Sequence, residues 1–189
     1  MGKAVNAIVV PTSGPEDWKG LLAQPDLHWR SGYSARALAY CWEEAAGLPA
    51  SVARVFDGSA FEPLRDFEVL VAIPEHQVRL PGGTRPSQND LWLLGRGASG
   101  LVSVAVEGKV AEPFGPTIEE WSAEASIGKK ERLSFLLKLL GLAEELPQGL
   151  RYQLLHRTAS AILEAERFDA PNALMMVHSF TQDSAWFDD

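Results

Sequence analysis

The stretch "NDLWLLGRGASGLVSVAVEGKV", residues 89–110, predicts a β-hairpin whose turn is the Gly-rich segment GASG between two apolar runs. If Gly97 to Gly100 form the turn, the numbers of opposed residues add to 197. Asp90 then lies directly across from Glu107, with Cβ atoms about 4.5–5.5 Å apart. The hairpin therefore predicts two neighbouring carboxylates at the outer ends of its strands.

The second strand of this hairpin has two different faces, because successive side chains point to opposite sides of a sheet. One face carries Val102, Val104 and Val106 and is expected to contact the core. The other face carries small residues followed by Glu107 and Lys109. This second face leaves room for another group to approach.

Asp90 and Glu107 carry like charges, which destabilise a sheet when they are directly opposed. The pair persists if a cation lies between the acids, if one acid is protonated, or if both are solvated. Mg²⁺ suits the first case because it prefers carboxylate oxygens and keeps several waters. Without a metal, we expect each acid to raise the pKa of the other, with Lys109 partly offsetting this effect. A solvated strand end is the alternative interpretation.

The remaining patterns predict an α/β fold with a mixed central sheet flanked by helices. Ser34 is predicted to cap a helix over 34–47, and an apolar run over 67–80 predicts a strand with a kink or bulge at Pro74. The later predicted elements are two helices and a final strand, at 129–141, 151–168 and 173–180. The second of these helices places four polar side chains on one face: Gln153, Arg157, Ser160 and Glu164.

The length of 189 residues fits a single domain, 1–189. Residues 1–33 are predicted to be irregular, and residues 181–189 are predicted to form an acidic tail. No apolar run approaches the roughly 20 residues of a membrane span, and the N-terminus lacks the pattern of a secretion signal. Cys41 is the only cysteine, which excludes an internal disulfide. We therefore expect a cytoplasmic protein without membrane association.

The net charge of −8 argues against indiscriminate binding to nucleic acid. The charge is uneven, however, because residues 129–157 contain six basic and three acidic residues, a net +3. A local basic surface is one interpretation, and chance patchiness is the other. On the first interpretation, Arg151 and Arg157 are the predicted contacts to phosphate.

An Asp at the start of one strand and E-x-K at the end of the next resemble the PD-(D/E)xK nuclease superfamily. Here these positions are Asn89-Asp90 and Glu107-Gly108-Lys109, so Asn replaces the usual Pro. The longer phrases "HWRSGYSARALAYCWEEA", "LPGGTRPSQNDLW", "VEGKVAEPFGP" and "RYQLLHRTAS" resemble a bacterial family within that superfamily.

This resemblance implies a restriction-endonuclease-like core over 34–180, in the element order αβββαβ. It further implies that Asp90 and Glu107 bind Mg²⁺ or Mn²⁺ and that Lys109 is the catalytic lysine. Some superfamily members add an acid from the first helix, for which Glu43 and Glu44 are the candidates. Others add a Gln from the helix after the motif, which is Gln153 here.

Two classes of function remain open on the sequence alone. The first is a metal-dependent phosphodiesterase, a nuclease acting on nucleic acid. The second is a non-catalytic module that keeps the nuclease-like fold and binds a protein or a nucleic acid.

Overall fold

The fold is a mixed α/β arrangement in which helices flank a four-stranded sheet, as the sequence predicted. The computed structural model describes residue 8 and residues 12–143, 145–147 and 149–181, so most of the predicted acidic tail lies outside the described residues. The strands are β1 (Glu68–Val78), β2 (Ser87–Gly97), β3 (Gly100–Lys109) and β4 (Asn172–Ser179). The helices are α1 (Pro25–His28), α2 (Ser34–Ala45), α3 (Ala50–Asp57), α4 (Ile118–Ser122), α5 (Ile127–Leu140) and α6 (Tyr152–Arg167).

The sheet has the spatial order β1-β2-β3-β4, with β1, β2 and β3 joined as an antiparallel meander. β4 runs parallel to β3, which requires the chain to cross over the sheet between them. α4, α5 and α6 lie in this connection, and α6 packs on both β3 and β4. α6 therefore packs across one face of the sheet.

The hairpin register is the predicted one. Arg96 pairs with Leu101 and Leu91 pairs with Val106, so opposed residue numbers add to 197. The loop is shorter than predicted, because Gly97 and Gly100 already pair and leave a two-residue turn. A Cβ on Gly97 would lie 1.7 Å from the Pro63 carbonyl oxygen, so only glycine fits there.

Strand β1 corrects one prediction about its proline. The register shift lies between Val69 and Val71 rather than at Pro74, which pairs in register with Leu91. The backbone after the proline is nevertheless unusual, because Glu75 has φ 52°. Left-handed backbone is uncommon for residues other than glycine and is enriched at functional sites.

Two predictions near the N-terminus are also corrected. Ser34 is the first residue of α2, and Tyr33 occupies the cap position without a capping side chain. The segment that was predicted to be irregular contains a 3-10 helix, Pro15–Leu21, besides α1. Trp18 in that 3-10 helix is only 2% exposed, and it joins the main core. A large ring was needed there to fill space beside α2.

The sheet separates two apolar clusters. The face with Val102, Val104 and Val106 packs against Leu38 and Trp42 of α2, as the alternation of β3 predicted. A second cluster joins α5 and α6 through Leu80, Leu136, Tyr152, Leu155 and Ala159. In the described part of the chain, no helix has the length and apolar character needed to cross a membrane.

Candidate functional site

The polar ends of β2 and β3 meet beside the first turn of α2. The amide of Gly108 donates a hydrogen bond to Asp90 Oδ2 at 2.9 Å, which fixes the Asp90 carboxylate against β3. A Cβ on Gly108 would lie 3.1 Å from Ser34 Cβ, so the glycine lets α2 approach the strand. Glu112 accepts a hydrogen bond from the Ser34 amide at 2.8 Å, and it thereby anchors the start of α2.

Glu107 is the centre of a buried network at this end of the sheet. It is 2% exposed, and three side chains donate to its carboxylate. Lys109 Nζ and Gln153 Nε2 donate to Oε1 at 2.7 and 2.6 Å, and Arg157 Nε donates to Oε2 at 2.7 Å. A charge that is buried this far is stable only when it is paired and hydrogen-bonded. The predicted polar face of α6 therefore covers the carboxylate of β3.

Glu75 of β1 is a third acid at the site, and it was not among the residues predicted from the sequence. It lies between the paired residues Pro74–Leu91 and His76–Asn89, so it is opposite Asp90. Its Oε2 accepts a hydrogen bond from Gln88 Nε2 at 2.7 Å. The sequence signal for Glu75 is the register between β1 and β2, which places it opposite Asp90 as the hairpin register places Glu107.

These side chains lie in a cleft of about 420 Å³. Its charged lining comes from three strands, from α6 and from the segment after β3. The charged residues are Glu75, Asp90, Glu107, Lys109, Glu112 and Arg157. The cleft brings together all three residues of the predicted catalytic set, with Gln153 beside them.

The carboxylates of the cleft differ in their tendency to ionise. Burial and then the charge of Glu107 raise the pKa of Asp90 to about 7. Burial and then the charge of Asp90 raise the pKa of Glu75 to about 8. Burial alone would raise the pKa of Glu107, but the charges of Arg157 and Lys109 outweigh it and lower that pKa. The expected mutual increase is therefore found for Asp90 and not for Glu107.

The raised pKa of Asp90 predicts a pH-dependent effect of Asp90→Asn on stability. The native state keeps a proton that the unfolded state loses between about pH 4 and pH 7, so the native protein loses stability as the pH rises through this window. In metal-free buffer, wild type should therefore lose stability between pH 5 and pH 8 and Asp90→Asn should not. The free energy of unfolding of Asp90→Asn, relative to that of wild type, should increase by on the order of 2 kcal/mol between these two pH values. Urea unfolding at both pH values measures this, with Asp57→Asn as the exposed control. An equal effect of Asp90→Asn at both pH values would contradict it.

Three of the other predicted site residues lie outside the cleft lining, namely Glu43, Glu44 and Arg151. Glu43 Oε1 accepts a hydrogen bond from Trp18 Nε1 at 2.8 Å, and neither Glu43 nor Glu44 is among the described residues that line the cleft. Arg151 donates to the Gly115 carbonyl at 2.9 Å and is likewise outside the cleft lining. Arg157 does line the cleft, but it is buried against Glu107 rather than exposed to solvent as the charge count suggested.

The carboxylates of the cleft decide whether it could hold the expected metal ion. Among the described residues, no group of three or more His, Cys, Asp or Glu side chains is arranged to hold a metal ion. Mg²⁺ does not need such a group, because it usually binds through one or two carboxylates and completes its shell with water and substrate phosphate. The Asp90 carboxylate accepts one hydrogen bond among the described residues, from Gly108. Asp90, with Glu107 in the same cleft, therefore supplies the one or two carboxylates that Mg²⁺ needs.

Fold and site together define a mixed α/β protein with an acidic, lysine-containing cleft at one end of its sheet. The chain belongs to the family described as "Domain of unknown function (DUF6946)", whose model matches residues 11–189. No curated protein and no solved structure matches the chain.

Proposed function

We propose that the chain is a metal-dependent phosphodiesterase that acts on nucleic acid through a restriction-endonuclease-like core. The observation that carries this proposal is the row of Glu75, Asp90 and Glu107 on adjacent strands, with Lys109 in the same cleft. The order of helices, a three-strand meander, further helices and a strand parallel to β3 supports the fold. The composition supports a cytoplasmic location.

Asp90 and Glu107 would hold one or two Mg²⁺ or Mn²⁺ ions. A bound divalent cation supplies a water of lowered pKa and neutralises charge on phosphate oxygens. Burial and then the charge of Glu107 raise the pKa of Asp90, so a cation would relieve both the burial of that charge and its repulsion from Glu107. Gln153 and Arg157 orient the Glu107 carboxylate from the side of α6.

Lys109 is held in a defined position. Its Nζ lies 2.7 Å from Glu107 Oε1 and 4.9 Å from the centre of the Phe114 ring. Held there, the ammonium orients an attacking water or stabilises the charge that develops on the phosphate. A fixed donor of this kind costs no reorganisation during the reaction, which is why it lowers the barrier.

The second candidate function is a non-catalytic module with the same fold. The observation in its favour is that Arg157 and Lys109 already neutralise Glu107. A carboxylate that is fully paired within the protein competes poorly for a cation. On this interpretation, the cleft stabilises the fold, and binding of a partner takes place elsewhere.

Metal binding separates the two candidates. Mn²⁺ should bind the wild-type protein, and Asp90→Asn should weaken this binding by at least about tenfold, because it removes one charged ligand (about 1.4 kcal/mol). At ten times its Kd, the metal should stabilise the wild-type fold by about 1.4 kcal/mol through mass action. Isothermal titration and thermal unfolding measure the two effects. Asp57→Asn, an exposed acid outside the cleft, should bind like wild type. Equal binding by all three proteins would favour the non-catalytic module.

A further inference from the structure

A second concave surface lies next to the cleft and has the opposite charge character. This surface, here called the basic groove, has a volume of about 460 Å³, and its polar lining includes Arg85, Lys129 and Arg132. It continues into a depression of about 550 Å³ that adds Arg79. None of the described residues that line either part is Asp or Glu. This surface is therefore positively charged, although the chain as a whole has a net charge of −8.

The cations of the basic groove lack carboxylate partners. Arg132 is only 8% exposed, yet its guanidinium donates to the carbonyls of Pro81 and Leu80, at 2.9 and 3.2 Å. Lys129 Nζ donates to the Trp121 carbonyl at 2.8 Å. Among the described residues, none of Arg85, Lys129 and Arg132 forms an ion pair with Asp or Glu. Arg132 is buried, Lys129 is half-buried and Arg85 is exposed, so the groove presents positive charge that no carboxylate of its lining neutralises.

This arrangement differs from that of the cations in the acidic cleft. Lys109 and Arg157 are also buried, but both are paired with Glu107 at 2.7 Å. The cations of the cleft are therefore neutralised within the protein, whereas the buried Arg132 of the groove is held by backbone carbonyls. An anionic ligand in the basic groove would complement its positive charge.

The basic groove is built rigidly. The connection between β1 and β2 lies directly on the first turn of α5, where a Cβ on Gly82 would be 2.2 Å from the Gly128 carbonyl oxygen. Gly82 also has φ 74°, a conformation that favours glycine. Arg132 holds this connection through its bonds to Pro81 and Leu80. Donors that are already fixed lose little conformational entropy when they bind an anion.

The basic groove and the acidic cleft share a wall. Ser87 lines the groove, and its hydroxyl accepts a hydrogen bond at 3.2 Å from Arg157, which lines the cleft. His156 contacts the same hydroxyl through Nδ1 at 2.7 Å. Burial and the charge of Arg157 lower the pKa of His156 to about 3, so this ring adds no charge to the wall. One hydrogen-bonded partition therefore separates the two sites.

We propose that the basic groove binds the phosphodiester backbone of a nucleic-acid strand whose neighbouring phosphate occupies the acidic cleft. This assignment rests on the proposed phosphodiesterase function and names how its substrate is held. The groove wall also contains aromatic rings, since the half-buried Trp121 stacks on the buried Tyr152 with ring centroids 4.0 Å apart. Grooves that combine cations with aromatic rings are typical of single-strand binding.

The test is the salt dependence of binding to a fluorescein-labelled single-stranded oligonucleotide, measured by anisotropy in EDTA so that no cleavage occurs. Arg85→Ala and Lys129→Ala should each reduce the slope of log K against log salt by roughly 0.7. The double variant should bind at least about tenfold more weakly at low salt. Arg54→Ala, an exposed arginine of α3 outside both surfaces, is the matched control and should keep the wild-type slope. Arg79→Ala is a third single variant of the groove, and thermal unfolding checks that each protein is folded.

Wild-type slopes in the groove variants would overturn the proposal. A rise in Tm with inorganic phosphate that is lost in the double variant, together with unchanged oligonucleotide binding, would also overturn it and identify a small-anion site. Because binding is measured without metal, the test of the basic groove does not depend on whether the protein cleaves nucleic acid. Loss of binding in the groove variants, with no cleavage by wild type in Mn²⁺, would support the groove and reject the phosphodiesterase.

Discussion

Replacing Glu107 with alanine is expected to destabilise the fold by about 3–5 kcal/mol, because it leaves two buried cations without their counterion. Lys109 and Arg157 both lie 2.7 Å from its carboxylate, and Gln153 also loses its acceptor. For a chain of this length, the loss corresponds to a fall in Tm of roughly 6–20 °C. Chemical denaturation and calorimetry measure the two quantities. This result does not depend on any catalytic activity.

Three companion variants make this prediction specific. Glu131→Ala removes an exposed acid from α5 and should change stability by less than about 0.5 kcal/mol. Glu107→Gln keeps an acceptor oxygen and should lose less stability than Glu107→Ala. Arg157→Met in the Glu107→Ala background should recover part of the loss, because it removes one of the unpaired charges. A loss below about 1 kcal/mol for Glu107→Ala would show that the network does not stabilise the fold.

Replacing Lys109 with methionine is expected to lower the rate of phosphodiester hydrolysis by at least about 100-fold, while leaving nucleic-acid binding largely unchanged. Methionine keeps most of the buried volume, and Arg157 still pairs with Glu107, so the fold should persist. Initial rates on labelled DNA and RNA in Mn²⁺, together with anisotropy, separate catalysis from binding. Lys130→Met, an exposed lysine outside both surfaces, should cleave like wild type. If Lys109→Met cleaves at the wild-type rate, Lys109 takes no part in the reaction.

The hairpin was predictable because its determinants are local. A two-residue side-chain period and a Gly-rich turn fix both the register and the face of each residue. That is why Asp90, Glu107 and Lys109 are found in one cleft. The same reasoning placed a kink or bulge at Pro74. The backbone is irregular at the next residue, Glu75, but the register shift lies between Val69 and Val71, because such a shift depends on how two strands fit and not on the proline alone.

The surroundings of Glu107 were not predictable from local patterns. Helical spacing placed Gln153 and Arg157 on one face of α6, but only the crossover between β3 and β4 decides which strand that face covers. The charge count therefore made Arg157 a surface cation, whereas the structure pairs it with Glu107. The basic groove was missed for a similar reason, because Arg79 and Arg85 precede the basic segment by many residues and meet Lys129 only in the folded chain.

The central claim is that the acidic cleft hydrolyses phosphodiester bonds with the help of a divalent cation. The most direct measurement follows the cleavage of labelled single- and double-stranded DNA and RNA by wild-type protein, with Mn²⁺ or with EDTA, beside Asp90→Asn purified in parallel. We predict cleavage by wild type that requires the metal and is lost in Asp90→Asn. No cleavage of any substrate in Mn²⁺, or equal cleavage by Asp90→Asn, would contradict the claim.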